Sequence, residues 1–174
     1  MPAINHNAVH EAGHVIAALC CELDVRAVLV KPTNKYTARC ELVPTQAIPR
    51  AVYAMKLAGA IAVQIQNERD GRADDDGFGK TDDPESDAHC IERLRLYWMS
   101  LGMTDDQVKA CDTKLRTFVK AALSRFWLIV EALAMKIATL RPSGPPLTAA
   151  RIGEMVNALD PTFYGQVKAH LLTD

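Results

Sequence analysis

Apolar positions recur with a helical period over most of this chain. Around residues 4–22, Val9, Ala12, Gly13, Ile16, Leu19, Cys20 and Leu23 keep the i, i+3, i+4, i+7 spacing of one buried stripe. Asn5 or Asn7 is placed to cap that helix. The pattern then changes. Val25–Lys31 and Tyr36–Val43 read as strands joined by the turn-forming Pro32-Thr33-Asn34, which predicts a short antiparallel hairpin. Pro44 and Pro49 bracket a break. Ala51–Arg69 is apolar nearly all round, as expected of a helix central in the core.

Residues 70–83 are rich in Gly and Asp and read as a loop. Asp83-Pro84 suits a helix cap and first turn, opening a helix to about Ser100. Thr104-Asp105-Asp106-Gln107 has the form of a capping box and starts a long helical region to about Leu140, with a break near Ser124. In Phe126–Val130 the spacing does not let Phe126 and Trp127 both face inward on one stripe, so a helix-packing or dimer face is an alternative to core. Short helices over 148–158 and 161–172 close the chain. The expected fold is mainly α (α+β), a helical domain with a small early hairpin or sheet. Its expected parts are a core over residues 1–140, a linker at 141–147, and helices over 148–174 that pack on the same domain.

Composition narrows the classes. The chain has 174 residues, 49% of them hydrophobic, enough to bury a sizeable core. A net charge of −1 argues against a nucleic-acid binder driven by bulk charge. Five cysteines without C-x-x-C spacing give no disulfide framework and point to a reducing compartment. The apolar runs Ala51–Ile65 and Phe126–Leu140 carry charges and fall short of the roughly 20 residues that span a bilayer. With no visible signal peptide, the expectation is a soluble cytoplasmic protein with no membrane or nucleic-acid partner.

The candidate chemistry lies in the first helix, in Val9-His10-Glu11-Ala12-Gly13-His14-Val15. Residues four apart share a helix face, so His10 and His14 can point at one metal ion. Glu11, turned about 100° further round, can reach a water on that ion without ligating it. Two imidazole ligands and a carboxylate base are the working parts of a zinc peptidase. Two features of the acidic loop carry no chemistry. Gly79-Lys80-Thr81 lacks the earlier glycine of a phosphate-binding loop, where Asp74 stands. Asp74-x-Asp76-Gly77 has Arg72 at the first calcium-ligand position.

His10-Glu11-Ala12-Gly13-His14 followed by an apolar run resembles the protease domain of the FtsH family of zinc metallopeptidases. The resemblance extends through Tyr36-Thr37 at the head of a strand, Leu57-Ala58-Gly59-Ala60-Ile61-Ala62, the spacing of Thr81 to Asp87 with Ile91-Glu92-Arg93-Leu94 after it, and Leu147-Thr148 with Ile152. It covers residues 10–158, and its first block is the specific one.

That resemblance implies Zn2+ held by His10, His14 and Asp87, with Glu11 as catalytic base. A carboxylate in the first turn of a helix is also electrostatically favoured there. Asp76, Asp82, Asp83 and Glu85 are rivals for the third ligand, and Glu68 and Glu92 are weaker candidates. His6 reads as a frayed first-turn residue. The strand headed by Thr37, Ala38 and Arg39 is the candidate substrate wall, pairing with extended polypeptide.

The activity implied is ATP-independent hydrolysis of peptide bonds in flexible or unfolded polypeptides. FtsH proteins carry an ATPase module and usually a membrane anchor; the expectation for this sequence is a protease domain without either, and a separate ATPase partner is an open expectation. A homo-oligomer is another. The competing class is a non-proteolytic zinc-binding scaffold or regulator.

Overall fold

The first helix, α1 (His6–Cys20), starts at Asn5, whose Oδ1 accepts a hydrogen bond from the Asn7 N–H at 3.0 Å. Asn5 thereby satisfies a donor that the helix leaves open. In the computed structural model, residues 5–30, 38–43, 49–72, 86–142 and 144–171 are described. Among them run seven helices and one small antiparallel sheet, a mainly α fold with a β component.

Burial on α1 goes well beyond the expected single stripe and takes in Glu11, His14 and Val15. The reason is tertiary. The helix packs against α2 (Pro49–Asp70) and α5 (Trp127–Ala138), with strand β2 (Ala38–Leu42) and α4 (Asp105–Arg125) also against it. Its small residues allow this. A Cβ on Gly13 would lie 2.6 Å from the Ala58 carbonyl oxygen, so α1 and α2 meet backbone to backbone there. The helix ends in a Schellman turn: Leu23 N–H donates to the Ala18 carbonyl at 2.8 Å and Glu22 N–H to that of Leu19 at 3.2 Å. Glu22, at φ 54°, takes the left-handed position usually given to glycine.

Strand β1 (Val25–Val30) pairs antiparallel with β2, with Val28 opposite Cys40 and Val30 opposite Ala38. The hairpin expected from the pattern is present, and its turn residues lie outside the described set. A third strand, β3 (Leu147–Thr148), adds to the other side of β1 and pairs Leu147 with Val28. Leu147 thus ends the stretch read as a linker inside the sheet, buried at 3% exposure. Among the described residues the order β2-β1-β3 leaves β2 at an edge.

Helix α2 opens on Pro49, which suits a first helical position, and is buried on most of its surface from Tyr53 to Asn67. Helix α3 (Asp87–Ser100) is capped by Ser86, whose Oγ accepts from the His89 N–H at 3.1 Å. Its start falls later than the Asp83-Pro84 cap suggested, and those two residues lie outside the described set. The Thr104–Gln107 capping box forms at the head of α4, with bonds of 2.8 and 3.3 Å.

Helices α4 and α5 are separated by Phe126, at φ −100° and ψ 26°. The break expected near Ser124 thus falls at Phe126, and it lets both Phe126 and Trp127 be core without sharing one stripe. Phe126 packs edge-on against Phe163, while Trp127 lies under Arg69 and donates to Glu131 at 2.6 Å. The outward residue of the run is Leu128, 76% exposed. Helix α6 (Ala149–Leu159) takes Thr148 as its cap, and α7 (Phe163–Leu171) places Phe163 and Val167 in the core. No described helix is long and apolar enough to cross a membrane.

Candidate metal centre

One helical turn separates His10 from His14, and their rings meet edge to face, with centroids 4.6 Å apart. Asp87, the first residue of α3, comes to them from across the fold. Its Oδ2 lies 2.9 Å from each Nε2, and the two Nε2 atoms lie 3.0 Å apart. His14 and Asp87 are buried, and the His10 side chain is 18% exposed. His10 therefore stands at the margin between core and solvent, and His14 lies inside it. Helix α2 covers His14.

Helix α2 also sets the orientation of these groups. The Met55 carbonyl lies 2.7 Å from His14 Nδ1. A carbonyl only accepts, so Nδ1 carries the hydrogen and the Nε2 of a neutral His14 presents a lone pair. Gly59 makes room for both rings: a Cβ there would stand 2.6 Å from His10 Cε1 and Nε2, and 2.7 Å from His14 Cε1. Lys56 reaches Asp87 Oδ1 at 2.9 Å.

Three electron-rich atoms within 3.0 Å of one another repel unless they share a cation, either a proton or a metal ion. Burial by itself would drive the His14 imidazolium off its proton, yet the charge and hydrogen bond of Asp87 outweigh it and hold the pKa above the ordinary value. Burial would raise the Asp87 carboxyl, but His14, His10 and Lys56 hold it well below the usual carboxylate range.

Glu11 is buried beside this cluster and does not join the Asp87 contact. Its Oε2 accepts the Cys40 N–H of β2 at 2.6 Å. Ligand atoms of His10, Glu11 and His14 lie within 4.8 Å of one another, and this group could hold a metal ion. Asp87 Oδ2, at 2.9 Å from each Nε2, stands closer to both imidazoles than that span. Burial pushes the neighbouring Cys40 thiol up to about 12, with Glu11 adding to the shift, so the thiol stays protonated beside the carboxylate.

The weaker candidates are engaged elsewhere. Glu68 pairs with Lys120 at 2.7 Å, Glu92 sits 3.8 Å from Arg95, and His6 Nε2 is 3.4 Å from Arg72. Asp76, Asp82, Asp83 and Glu85 lie outside the described residues, as does Thr37. Ala38 is buried at the head of β2 and Arg39 is exposed.

The pattern reading missed the contributions of α2. Lys56 carried a signal, being the one charge between Arg50 and Glu68 in a helix buried on most sides. A charge so placed needs a partner. The Met55 carbonyl carried no signal, because any residue supplies one. A scan against protein-family models finds no match for this chain, and a search of curated proteins finds none either.

Proposed function

We propose that this chain is a zinc-dependent metallopeptidase acting on flexible or unfolded polypeptides, of the kind found in the FtsH family. The observation that carries the reading is the convergence of His10, His14 and Asp87 on one point, with a second carboxylate, Glu11, held just outside it. Tetrahedral zinc ligands at about 2.0–2.1 Å stand about 3.3–3.4 Å apart. The observed triangle, with sides of 2.9, 2.9 and 3.0 Å, needs to open by only a few tenths of an ångström. Two imidazoles and one carboxylate suit zinc and leave a fourth position open.

Zinc, when bound, would supply a Lewis acid that polarises a scissile carbonyl and acidifies a water. The remaining work falls to side chains of this chain. His10, His14 and Asp87 hold the ion. Glu11 takes the proton from the attacking water and delivers it to the leaving amine. The Cys40 N–H steers one Glu11 oxygen and leaves the other for that proton. An extended polypeptide pairing along edge strand β2, past Ala38 and Arg39, would run its backbone beside Glu11. Hydrolysis at such a site needs no nucleotide.

The test combines metal content with cleavage. Purified protein should hold about one zinc per chain, lost in His14→Ala. It should cleave casein, and Glu11→Gln should keep the metal while losing on the order of 100–10,000-fold in rate. Protein that binds no zinc overturns the reading. Zinc-loaded protein that leaves a broad panel of unfolded substrates uncut is a metal-binding scaffold instead.

A further inference from the structure

Lys56 holds the most unusual place of any cation among the described residues. Its side chain is 24% exposed, and its ammonium lies 2.9 Å from Asp87 Oδ1. The other oxygen of the same carboxylate, Oδ2, faces both imidazoles. The two oxygens of Asp87 thus have separate partners on opposite sides.

We propose that Lys56 is a positioning residue that anchors Oδ1 of Asp87 and so restricts this carboxylate to offering the metal a single oxygen. The proposal rests on the zinc reading of the site. A free carboxylate beside a divalent cation can turn and bind through both oxygens, which would fill the open position that hydrolysis requires. An ammonium on Oδ1 makes that turn unfavourable. It also fixes the side-chain rotation of Asp87 before the ion arrives, and such supporting partners raise metal affinity.

Helix α2 supplies the anchor with good leverage. Residues 55, 56 and 59 lie within about one turn, so the carbonyl for His14, the ammonium for Asp87 and the space for both rings come from one rigid element. A shift of α2 would move all three together.

Charge alone predicts the opposite sign. An ammonium near a bound cation repels it, so deleting Lys56 should then tighten binding. The direction of the change therefore decides. Zinc affinity is measured by competition with a chromophoric chelator, and geometry by the visible absorption of the cobalt(II) form. The proteins compared are wild type, Lys56→Met, Lys56→Arg, Asp87→Ala and the double variant.

Lys56→Met should weaken zinc binding by about 10–100-fold and reduce the intense bands of four-coordinate cobalt. Lys56→Arg should restore most of both. In the Asp87→Ala background, Lys56→Met should cause no further loss, because the residue acts through Asp87. Equal or tighter zinc binding by Lys56→Met, with the wild-type cobalt spectrum, overturns the proposal. So does an undiminished loss in the Asp87→Ala background. If Lys56→Met does not fold without metal, Lys56→Gln takes its place, and failure of both to fold makes Lys56 a residue of the fold and overturns the proposal. Wild-type protein that binds no zinc overturns the metal reading first, an outcome separate from all of these.

Discussion

Two polar clusters, one half-buried and one buried, grow from α2 within one helical turn of each other, and they are built on opposite principles. At Tyr53 the hydroxyl donates to Asp112 Oδ1 at 2.5 Å, and Arg116 Nε donates to Asp112 Oδ2 at 2.7 Å. Each carboxylate oxygen has a donor, and the Tyr53 ring stacks on Trp98. Three residues on, Lys56 satisfies one oxygen of Asp87, and the other meets two imidazole nitrogens that also meet each other. The first cluster is neutralised by its own donors and ties α2 to α4. The second needs a shared cation. Buried polar groups that close on themselves add rigidity, and those left short of positive charge are where ligand chemistry is to be sought.

Gly59→Ala tests the second cluster hardest. The new Cβ would stand 2.6 Å from the His10 ring, and α2 cannot retreat without losing the Met55 and Lys56 contacts. Zinc affinity should fall on the order of 10–100-fold, and stability by about 1–3 kcal/mol from overpacking. Chelator competition and urea unfolding measure the two. An unchanged affinity would show that the rings are free to move aside.

The first cluster should respond in stability alone. Asp112→Asn should cost about 1–3 kcal/mol near neutral pH, since Arg116 and Tyr53 lose a charged acceptor, and zinc affinity should not change. Burial would raise the Asp112 carboxyl, but the hydrogen bonds from Arg116 and Tyr53 outweigh it and its pKa lies below the ordinary value. Its stabilisation is therefore full above the unfolded-state value of about 4 and is lost as the pH falls through the folded one. The gap between wild type and Asp112→Asn in urea unfolding should shrink from pH 7 toward pH 3. A gap that widens in acid would reverse the sign of the argument.

Leu128→Ser should do least. The residue is 76% exposed between buried neighbours, so stability should change within about 0.5 kcal/mol. Zinc binding and cleavage should not change. A change in oligomeric state by light scattering would instead mark this face of α5 as an interface.

Much of the layout was legible from pattern because local rules governed it. The Asn5 and Thr104 caps, the early hairpin, and the helices over 51–69 and 104–140 follow from short-range spacing and side-chain caps. His10, Glu11 and His14 were legible for the same reason, since four residues on a helix bring two side chains together wherever the helix goes. The break expected near Ser124 falls at Phe126, and its exact place mattered because the turn there sends the Phe126 and Trp127 rings to different neighbours, a choice that no single-stripe pattern shows. The strand at Leu147–Thr148 is too short to show any period and exists because β1 has an open edge there.

The sequence by itself determined a mainly helical chain and a first helix able to present two imidazoles and a carboxylate on adjoining faces. It named Asp87 only through resemblance, because 73 residues of chain separate it from His14 and no local spacing links them. Tertiary structure decided which groups meet: Asp87 on the two histidines, Lys56 on Asp87, and the Cys40 N–H on Glu11. The reason is one of range. Hydrophobic period and capping act over a few residues, whereas a site held by α1, α2, α3 and β2 exists only once the core has packed those elements together.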